Sequence, residues 1–266
     1  MIDFTKRTLS FIYRNMFNNT SYFFTYIYHY FDKDYTQRAS FYSEKELIEQ
    51  IKNGKSLIRI GDGEIRMINY GNTGSYEPFN PRLRDYLLKS IKEYTSSSSY
   101  ILGIPEEYLS MPNSELRKLG LLHCWLALKT SFALIFPKKE KYFDAHLFYR
   151  GDSFARVLEP LLKDKKILIV TRKFNINLMK ETDLVKRLDV EFIETHDLGT
   201  FAYFDEILKK ILEKITEDTS SYRVILSTGP ASKAFAYELS KKNIISYDLG
   251  KGIEAAGRQN EIEHLI

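Results

Sequence analysis

Beyond Asp34 the sequence alternates between short apolar runs and longer segments with helical periodicity. The short runs predict strands at residues 57–60, 100–104, 167–171, 190–193, 224–227 and 244–248. The longer segments predict helices at residues 44–51, 81–94, 114–136, 153–162, 204–215 and 231–241. This alternation favours an α/β fold with a mostly parallel sheet and right-handed crossovers. Since ligands of such sheets bind at the carboxyl ends of the strands, a site is expected in the segments that follow them.

The first of these strand ends carries two carboxylates in a glycine-flanked turn. The apolar run at residues 57–60 suits a buried strand, and Gly61 and Gly63 allow close approaches that larger residues resist. Asp62 and Glu64 are two positions apart, so in an extended turn they point the same way and share one hard cation, Mg²⁺ or Mn²⁺. The residue types leave open a second interpretation, a solvated turn in which Asp62 caps the next segment and Glu64 faces water.

Two later strand ends also combine small and charged residues. At residues 224–233 an apolar run leads into a turn containing Gly229 and Pro230 and then into a helix. Free N–H groups at such a helix start can hold a phosphate or a sugar hydroxyl, although a well-capped turn gives the same pattern. The next strand ends at Asp248, before the glycine-rich segment 249–254.

Composition excludes several classes of protein. The net charge is only +4, from 39 basic and 35 acidic side chains, so the chain lacks the basic field of a nonspecific nucleic-acid binder, and nucleic acid is not an expected partner. Cys124 is the sole cysteine, which excludes an internal disulfide and a cysteine-based zinc cluster. A single cysteine fits a reducing compartment, so a cytoplasmic location is expected.

The N-terminal residues are rich in aromatic side chains. Residues 4–31 predict one or two amphipathic helices, and polar residues interrupt their apolar run short of the roughly 20 residues that span a bilayer. With Lys6, Arg7 and Arg14 nearby, this stretch suits an anionic membrane surface. The alternative is a helix packed on its own domain or on a second subunit. We expect an N-terminal helical appendage at residues 1–43 and one catalytic domain at residues 44–266.

The ordered motifs resemble those of the GT-D-fold glycosyltransferases. IRIGDGE at residues 58–64 resembles the R-[FI]-G-D-G-E signature of that family. LSTGPASKAFAYEL at residues 226–239, followed by YDLG at residues 247–250, is similar to its L-x-x-G-P-[TA]-[AS]-x-x-x-A-x-[DE]-L and D-[IL]-G elements. The resemblance covers roughly residues 45–254, and the ordered set is more specific than any single motif.

The resemblance implies a Rossmann-like GT-D fold and a nucleotide-sugar donor such as UDP-glucose. It implies that Asp62 and Glu64, a D-x-E pair, hold Mn²⁺ or Mg²⁺ against the donor diphosphate and so stabilise the leaving group. Asp248 and Lys251 are further catalytic candidates, and Asp248 and Glu254 both remain open as the base of an inverting reaction. The expected donor-binding residues are Arg59, Gly61, Gly63, Gly229, Pro230, Ala231 and Ser232.

Lys251 departs from the family pattern, in which a histidine that joins the metal site usually follows the D-[IL]-G element. A lysine cannot ligate the cation and repels it, because +1 against +2 at ~4 Å and an effective dielectric of ~20 is of order 8 kcal/mol before screening. Either Lys251 turns toward the diphosphate, or its ammonium replaces part of the metal's role. We therefore expect weaker metal dependence than in relatives that carry the histidine.

The expected function is transfer of a sugar from a UDP-sugar or similar donor to a glycan, glycolipid or glycoprotein acceptor. Cell-surface polysaccharide or glycoconjugate assembly at the inner membrane face is the expected setting. One alternative is a noncatalytic membrane-surface scaffold of polysaccharide assembly. Its transferase domain would be degenerate, as Lys251 in place of the family's histidine would indicate. A Rossmann methyltransferase is disfavoured, because the strand at residues 100–104 leads into Pro105 without the acidic residue that such enzymes carry there.

Overall fold

The computed structural model describes residues 20–71, 77–150, 152–182, 185, 187–215 and 218–254. Its strands are β1 (Ser40–Phe41), β2 (Ser56–Arg59), β3 (Tyr100–Ile104), β4 (Lys141–Asp144), β5 (Lys166–Arg172), β6 (Asp189–Thr195), β7 (Tyr222–Ser227) and β8 (Ser246–Asp248). They form one sheet in the order β1-β4-β3-β2-β8-β7-β5-β6, and every neighbouring pair is parallel. The predicted α/β class with a mostly parallel sheet is therefore confirmed.

The central strands are covered on both faces. Every residue of β2, β3 and β8 is buried, as expected for parallel strands with helices on either side. All six strands predicted from the sequence are present, with ends shifted by two residues at most. The sequence missed β1, which has only two residues, and β4, whose apolar pair is flanked by Lys141 and Asp144.

The helices connect the strands and cover the sheet. Those of the described residues are α1 (Thr20–Phe31), α2 (Glu44–Lys52), α3 (Asp62–Tyr70), α4 (Pro81–Lys92), α5 (Glu106–Ser110), α6 (Asn113–Lys118), α7 (Leu122–Ile135), α8 (Glu159–Leu162), α9 (Lys173–Lys180), α10 (Phe204–Lys214) and α11 (Ala231–Lys241). A π-helical turn, Phe154–Leu158, precedes α8. The predicted bounds of α11 match, and those of α2, α4 and α10 differ by two residues or fewer.

Two expectations about the helices were wrong. The segment predicted as one helix at residues 114–136 is two helices, α6 and α7, because Gly120 adopts a left-handed conformation with φ +70° and ends the first one. The turn after β2 is not extended. It is the first turn of α3, which begins at Asp62 and ends before Gly71, another left-handed glycine with φ +63°.

Helix α1 packs against α7 through one of its two aromatic faces. Tyr22, Tyr26 and His29 are buried, and the Tyr22 hydroxyl lies 2.7 Å from that of Tyr70 at the end of α3. The opposite face exposes Phe24 and Tyr28 to solvent. The interpretation of this stretch as a helix packed on its own domain therefore holds for α1, while the expectation for residues 4–19 lies outside the described residues. None of the helices in the described part of the chain is long and apolar enough to cross a bilayer.

Candidate active site

A cavity of about 580 Å³ runs along the carboxyl edge of the sheet. Its wall is built by the segments that follow six strands, from β4 at one end through β2, β8, β7 and β5 to β6 at the other. Helix α7 adds Trp125, and the segment before α4 adds Glu77. The position agrees with the general rule that parallel α/β sheets bind ligands at this edge. Most of the expected site residues lie on this wall or directly behind it.

Asp62 and Glu64 diverge from each other because both lie in the first turn of α3. Glu64 turns back toward the helix start, where its Oε2 accepts the backbone N–H of Gly61 at 2.8 Å. Asp62 lies one helical turn before Arg66, and its Oδ2 is 3.4 Å from the Arg66 guanidinium. Both side chains line the cavity, but only 8% of Glu64 is exposed. The expected parallel pair of carboxylates is therefore not formed.

Arg59, at the end of β2, lines the cavity and is bound to Asp248 at the end of β8. The Arg59 backbone N–H donates to Asp248 Oδ2 at 3.2 Å, and its Nε donates to the Asp248 carbonyl at 2.9 Å. The guanidinium also donates to the Tyr149 hydroxyl at 2.6 Å. Asp248 is fully buried and does not line the cavity. Arg59, expected as a donor-binding residue, thus lines the cavity while its guanidinium braces the carboxylate of Asp248.

Lys233 is a candidate site residue that the sequence interpretation missed. It lies in the first turn of α11, and its Nζ is 3.1 Å from Glu64 Oε1 and 3.2 Å from Asp248 Oδ2. Burial alone would lower the pKa of Lys233, but the carboxylates of Asp248 and Glu64 raise it above the usual value, so the lysine stays charged. The signal in the sequence is a lysine amid the small and apolar side chains of a helix start.

The turn before α11 reaches the cavity with only part of its expected donor-binding set. Gly229 and Pro230 line the cavity, and Gly229 has a left-handed φ of +62°. Ala231 and Ser232 are completely buried and do not line it. The Ser232 hydroxyl accepts the backbone N–H of Thr228 at 2.8 Å, so its role is to hold the turn.

Lys251 lies on the cavity wall just after β8. Its side chain is exposed, and no ion pair to it occurs among the described residues. The other Lys and Arg side chains of the wall are paired: Arg59 with Asp248, Arg66 with Asp62, Arg172 with Glu254 at 3.1 Å, and Lys233 with two carboxylates. Lys251 is therefore the cavity cation whose charge is most available to a ligand.

Aromatic rings form the wall beyond β4. Tyr149 and the His146 ring are stacked at 5.3 Å, and His146 meets Trp125 edge-on at 5.9 Å. Behind them, Tyr108 stacks on Trp125 at 4.0 Å. Burial lowers the pKa of His146 and so favours its neutral form. Such a surface offers flat apolar area to the face of a sugar or a base.

Glu77 lies near the β6 end of the cavity, where His196 and Thr200 also line the wall. Only 4% of Glu77 is exposed, and both of its carboxylate oxygens face the backbone N–H of Phe201, at 3.2 and 3.3 Å. Burial raises its pKa to about 7. His196 stacks on Tyr203 at 3.7 Å. The sequence carried no signal for Glu77, because the sequence around it has neither helical nor strand periodicity.

These residues do not suit a divalent cation held by Asp62 and Glu64. Both oxygens of Glu64 are occupied, one by Lys233 and one by the Gly61 N–H. Across the described residues, no three His, Cys, Asp or Glu side chains come together as a metal site. Of this pair only Asp62 is left to ligate a cation, and hard divalent cations need several oxygen ligands.

Comparison with known proteins places the chain among the glycosyltransferases. The profile of the Glycosyltransferase GT-D fold family matches residues 57–255, about three quarters of the sequence. The chain therefore belongs to the GT-D-fold glycosyltransferase family, as its motifs predicted, and its enzyme class is confirmed. A comparison with curated proteins finds no match.

Solved structures share the fold at low sequence identity. A selenomethionine-substituted structure of domain of unknown function 1792 has a TM-score of 0.67 at 20% identity, over 92% of this chain and 86% of that one. A structure described as a new glycosyltransferase of this domain, from Streptococcus sanguinis, has a TM-score of 0.67 at 17% identity, over 86% and 85%. A third, described as a distinct glycosyltransferase fold, has a TM-score of 0.65 at 20% identity, over 92% and 86%.

Proposed function

We propose that this glycosyltransferase takes a sugar from a nucleotide-diphosphate donor, a UDP-sugar, and transfers it to a glycan acceptor in cell-surface polysaccharide or glycoconjugate assembly. The observation that carries the proposal is that different parts of the cavity, which runs along the sheet edge, are lined by chemically different groups. A helix start and the available Lys251 lie near its centre, and an aromatic surface lies at one end. A volume of about 580 Å³ is within the usual range for small-molecule sites.

The diphosphate of the donor fits the centre of the cavity. The turn at Gly229 and Pro230 opens α11, and a helix start favours negative charge. Lys251, on the segment after the neighbouring strand β8, also lines the cavity and has no ion pair with any described residue. As the glycosidic bond breaks, negative charge grows on the leaving nucleoside diphosphate, and a fixed cation beside it stabilises that charge.

The expected catalytic residues then divide into two groups. Asp62 and Lys251 face the cavity and contact substrate. Glu64 and Asp248 act through other residues, because their carboxylates are bound to Lys233 and Arg59. The aromatic wall of Trp125, His146 and Tyr149 receives the sugar or the base. The β6 end of the cavity, near Glu77 and His196, remains for the acceptor.

The setting we propose is the cytoplasm, with α1 resting on the inner membrane face. Three exposed aromatic side chains of α1, Phe24, Tyr28 and Phe31, are spaced by four and three residues and so share one helix face. Phenylalanine and tyrosine side chains are typical of the headgroup region of membranes. This surface would bring the cavity to acceptors carried on a lipid.

A thermal-shift panel of nucleotides and nucleotide sugars tests the donor. At about 100 times its Kd, a ligand stabilises by roughly 2.7 kcal/mol, which raises the Tm of a chain of this size by roughly 5 to 10 °C. We expect such a rise with a uridine diphosphate compound in wild type. Lys251→Ala should reduce it without changing the Tm of the unliganded protein.

Lys242→Ala is the matched control for Lys251→Ala. Lys242 is also an exposed lysine, but it caps the far end of α11, away from the cavity. It should leave every nucleotide response unchanged. A panel in which no nucleotide raises the Tm would contradict the nucleotide-sugar donor, and an equal loss in both lysine variants would remove Lys251 from the site.

A further inference from the structure

The ammonium of Lys233 bridges two carboxylates that come from different strand ends. Glu64 belongs to the helix after β2, and Asp248 ends β8, the neighbouring strand. The Lys233 Nζ lies 3.1 Å from the first and 3.2 Å from the second, and it donates to the Gly229 carbonyl at 3.2 Å. Two carboxylates and a carbonyl around one positive charge form the donor set that a hard cation would take.

The remaining oxygens of these carboxylates are also occupied. Glu64 Oε2 accepts the Gly61 N–H, and Asp248 Oδ1 lies 3.5 Å from the Arg59 guanidinium. A divalent cation at this place would therefore have to displace the lysine, whose side chain is only 5% exposed. The ammonium of Lys233 could reach solvent only by breaking its contacts with the two carboxylates and the Gly229 carbonyl.

The charges of this cluster balance only when Lys233 is present. Arg59 and Lys233 carry two positive charges, and Glu64 and Asp248 carry two negative charges. Without the lysine, the wall would keep one net negative charge and would repel a donor diphosphate. A divalent cation in place of the lysine would make the net charge of the cluster positive. The lysine and the metal are therefore alternative ways to remove the negative charge that would repel the diphosphate.

We infer that Lys233 occupies the position of a divalent cation, so that Glu64 of the D-x-E segment is its counter-ion and donor binding needs no added metal. Lys233 is a positioning residue: it neutralises the wall and fixes Glu64 and Asp248, while Lys251 faces the donor. This inference rests on the proposed function for the identity of the ligand. The cation site itself can be tested without any donor.

The experiment is a titration with Mn²⁺ alone. Binding is measured as the decrease in the electron paramagnetic resonance signal of free Mn²⁺. Wild type should bind no Mn²⁺ at this cluster. Lys233→Met should bind one ion per chain, with a Kd at least roughly tenfold below the highest Mn²⁺ concentration at which wild type binds none, because the two carboxylates lose their resident cation. The double variant Lys233→Met with Glu64→Gln also lacks the lysine, but it should lose that gain.

Wild type supplies the second arm, which does not depend on the folding of any variant. The Tm rise given by uridine diphosphate should be equal, within error, in EDTA and in Mn²⁺. One Mn²⁺ bound to wild type and lost in Glu64→Gln would overturn the inference, as would a folded Lys233→Met that gains no affinity. Absence of any nucleotide response would count against the proposed function, whereas the Mn²⁺ titration would still decide the role of Lys233.

Discussion

Gly250 packs directly on the guanidinium of Arg59. A Cβ built on Gly250 would overlap Nη2 of Arg59 and would lie 3.3 Å from the Tyr149 hydroxyl. The residue also has a left-handed φ of +49°, which strains any other side chain. The glycine after β8 therefore leaves the space in which Arg59 reaches Asp248 and Tyr149.

Replacing Gly250 by alanine should displace the Arg59 guanidinium from its contacts with Asp248 and Tyr149. We expect Gly250→Ala to lower the free energy of unfolding by about 2 to 4 kcal/mol, from backbone strain together with a steric overlap that the buried guanidinium cannot avoid. Urea denaturation measures the loss. Gly63→Ala is the control, because nothing lies within 4 Å of its built Cβ and it sits inside α3. That variant should be neutral or more stable by about 0.5 kcal/mol, and an equal loss in both would contradict the packing argument.

Asp248 and Asp62 should differ sharply in their effect on stability. Asp248→Asn leaves Arg59 and Lys233 buried without their full counter-charge, and removing one partner of a buried pair costs about 3 to 5 kcal/mol. Asp62→Asn breaks only a half-exposed pair with Arg66, worth about 0 to 1 kcal/mol. Chemical denaturation of both variants at pH 7 makes the comparison. If Asp62→Asn proved the more destabilising change, the buried cluster would not be the structural centre of the site.

Glu77 should make the stability of the protein depend on pH. Burial raises its pKa from 4.5 to about 7, so the folded state binds the proton more tightly than the unfolded state does. Stability should therefore fall as the pH rises from about 4.5 to about 7 and should then level off, by of order 1 to 3 kcal/mol in all. Glu77→Gln can still accept the Phe201 N–H and cannot ionise, so this part of the pH dependence should disappear.

The measurement for Glu77 is the difference in unfolding free energy between wild type and variant at pH 5, 6, 7 and 8. Glu213→Gln serves as the control, because that carboxylate is largely exposed and makes only a long i,i+4 ion pair, at 3.7 Å, with Lys209. Its difference curve should be flat. A Glu77→Gln curve that is equally flat would mean that Glu77 ionises in the folded state as easily as in water.

Local patterns predicted six of the eight described strands and several helices, because their apolar periodicity is strong. β3 and α11 have the predicted bounds, and β5 and β7 differ by one or two residues. The two errors in helix bounds and turn geometry lie where glycines set the backbone. Gly120 divides a long apolar segment into two helices, and the glycines around Asp62 predicted an extended turn although α3 begins there.

The strand-end motifs predicted the place of the site but not its charge pairing. Asp62, Glu64, Gly229 and Lys251 all line one cavity, as expected from segments that follow neighbouring parallel strands. Lys233 could not be assigned from the sequence, because its partners Glu64 and Asp248 lie 169 positions before it and 15 positions after it and meet only through the strand order β2-β8-β7. Long-range pairing of this kind depends on topology, which local periodicity does not specify.

The exposed aromatic face of α1 should bind membranes. Phe24, Tyr28 and Phe31 are 64, 75 and 74% exposed, and transfer of each to a lipid interface contributes on the order of 1 kcal/mol. Changing all three to serine should therefore weaken sedimentation with anionic liposomes roughly 100-fold in partition constant, while the nucleotide response stays unchanged. Deleting the helix would be a poorer test, because Tyr22 and Tyr26 on its other face belong to the core. The control changes Leu119 and Leu134, exposed apolar residues on other elements, to serine. Equal sedimentation of wild type and the triple variant would leave α1 as a packing helix alone.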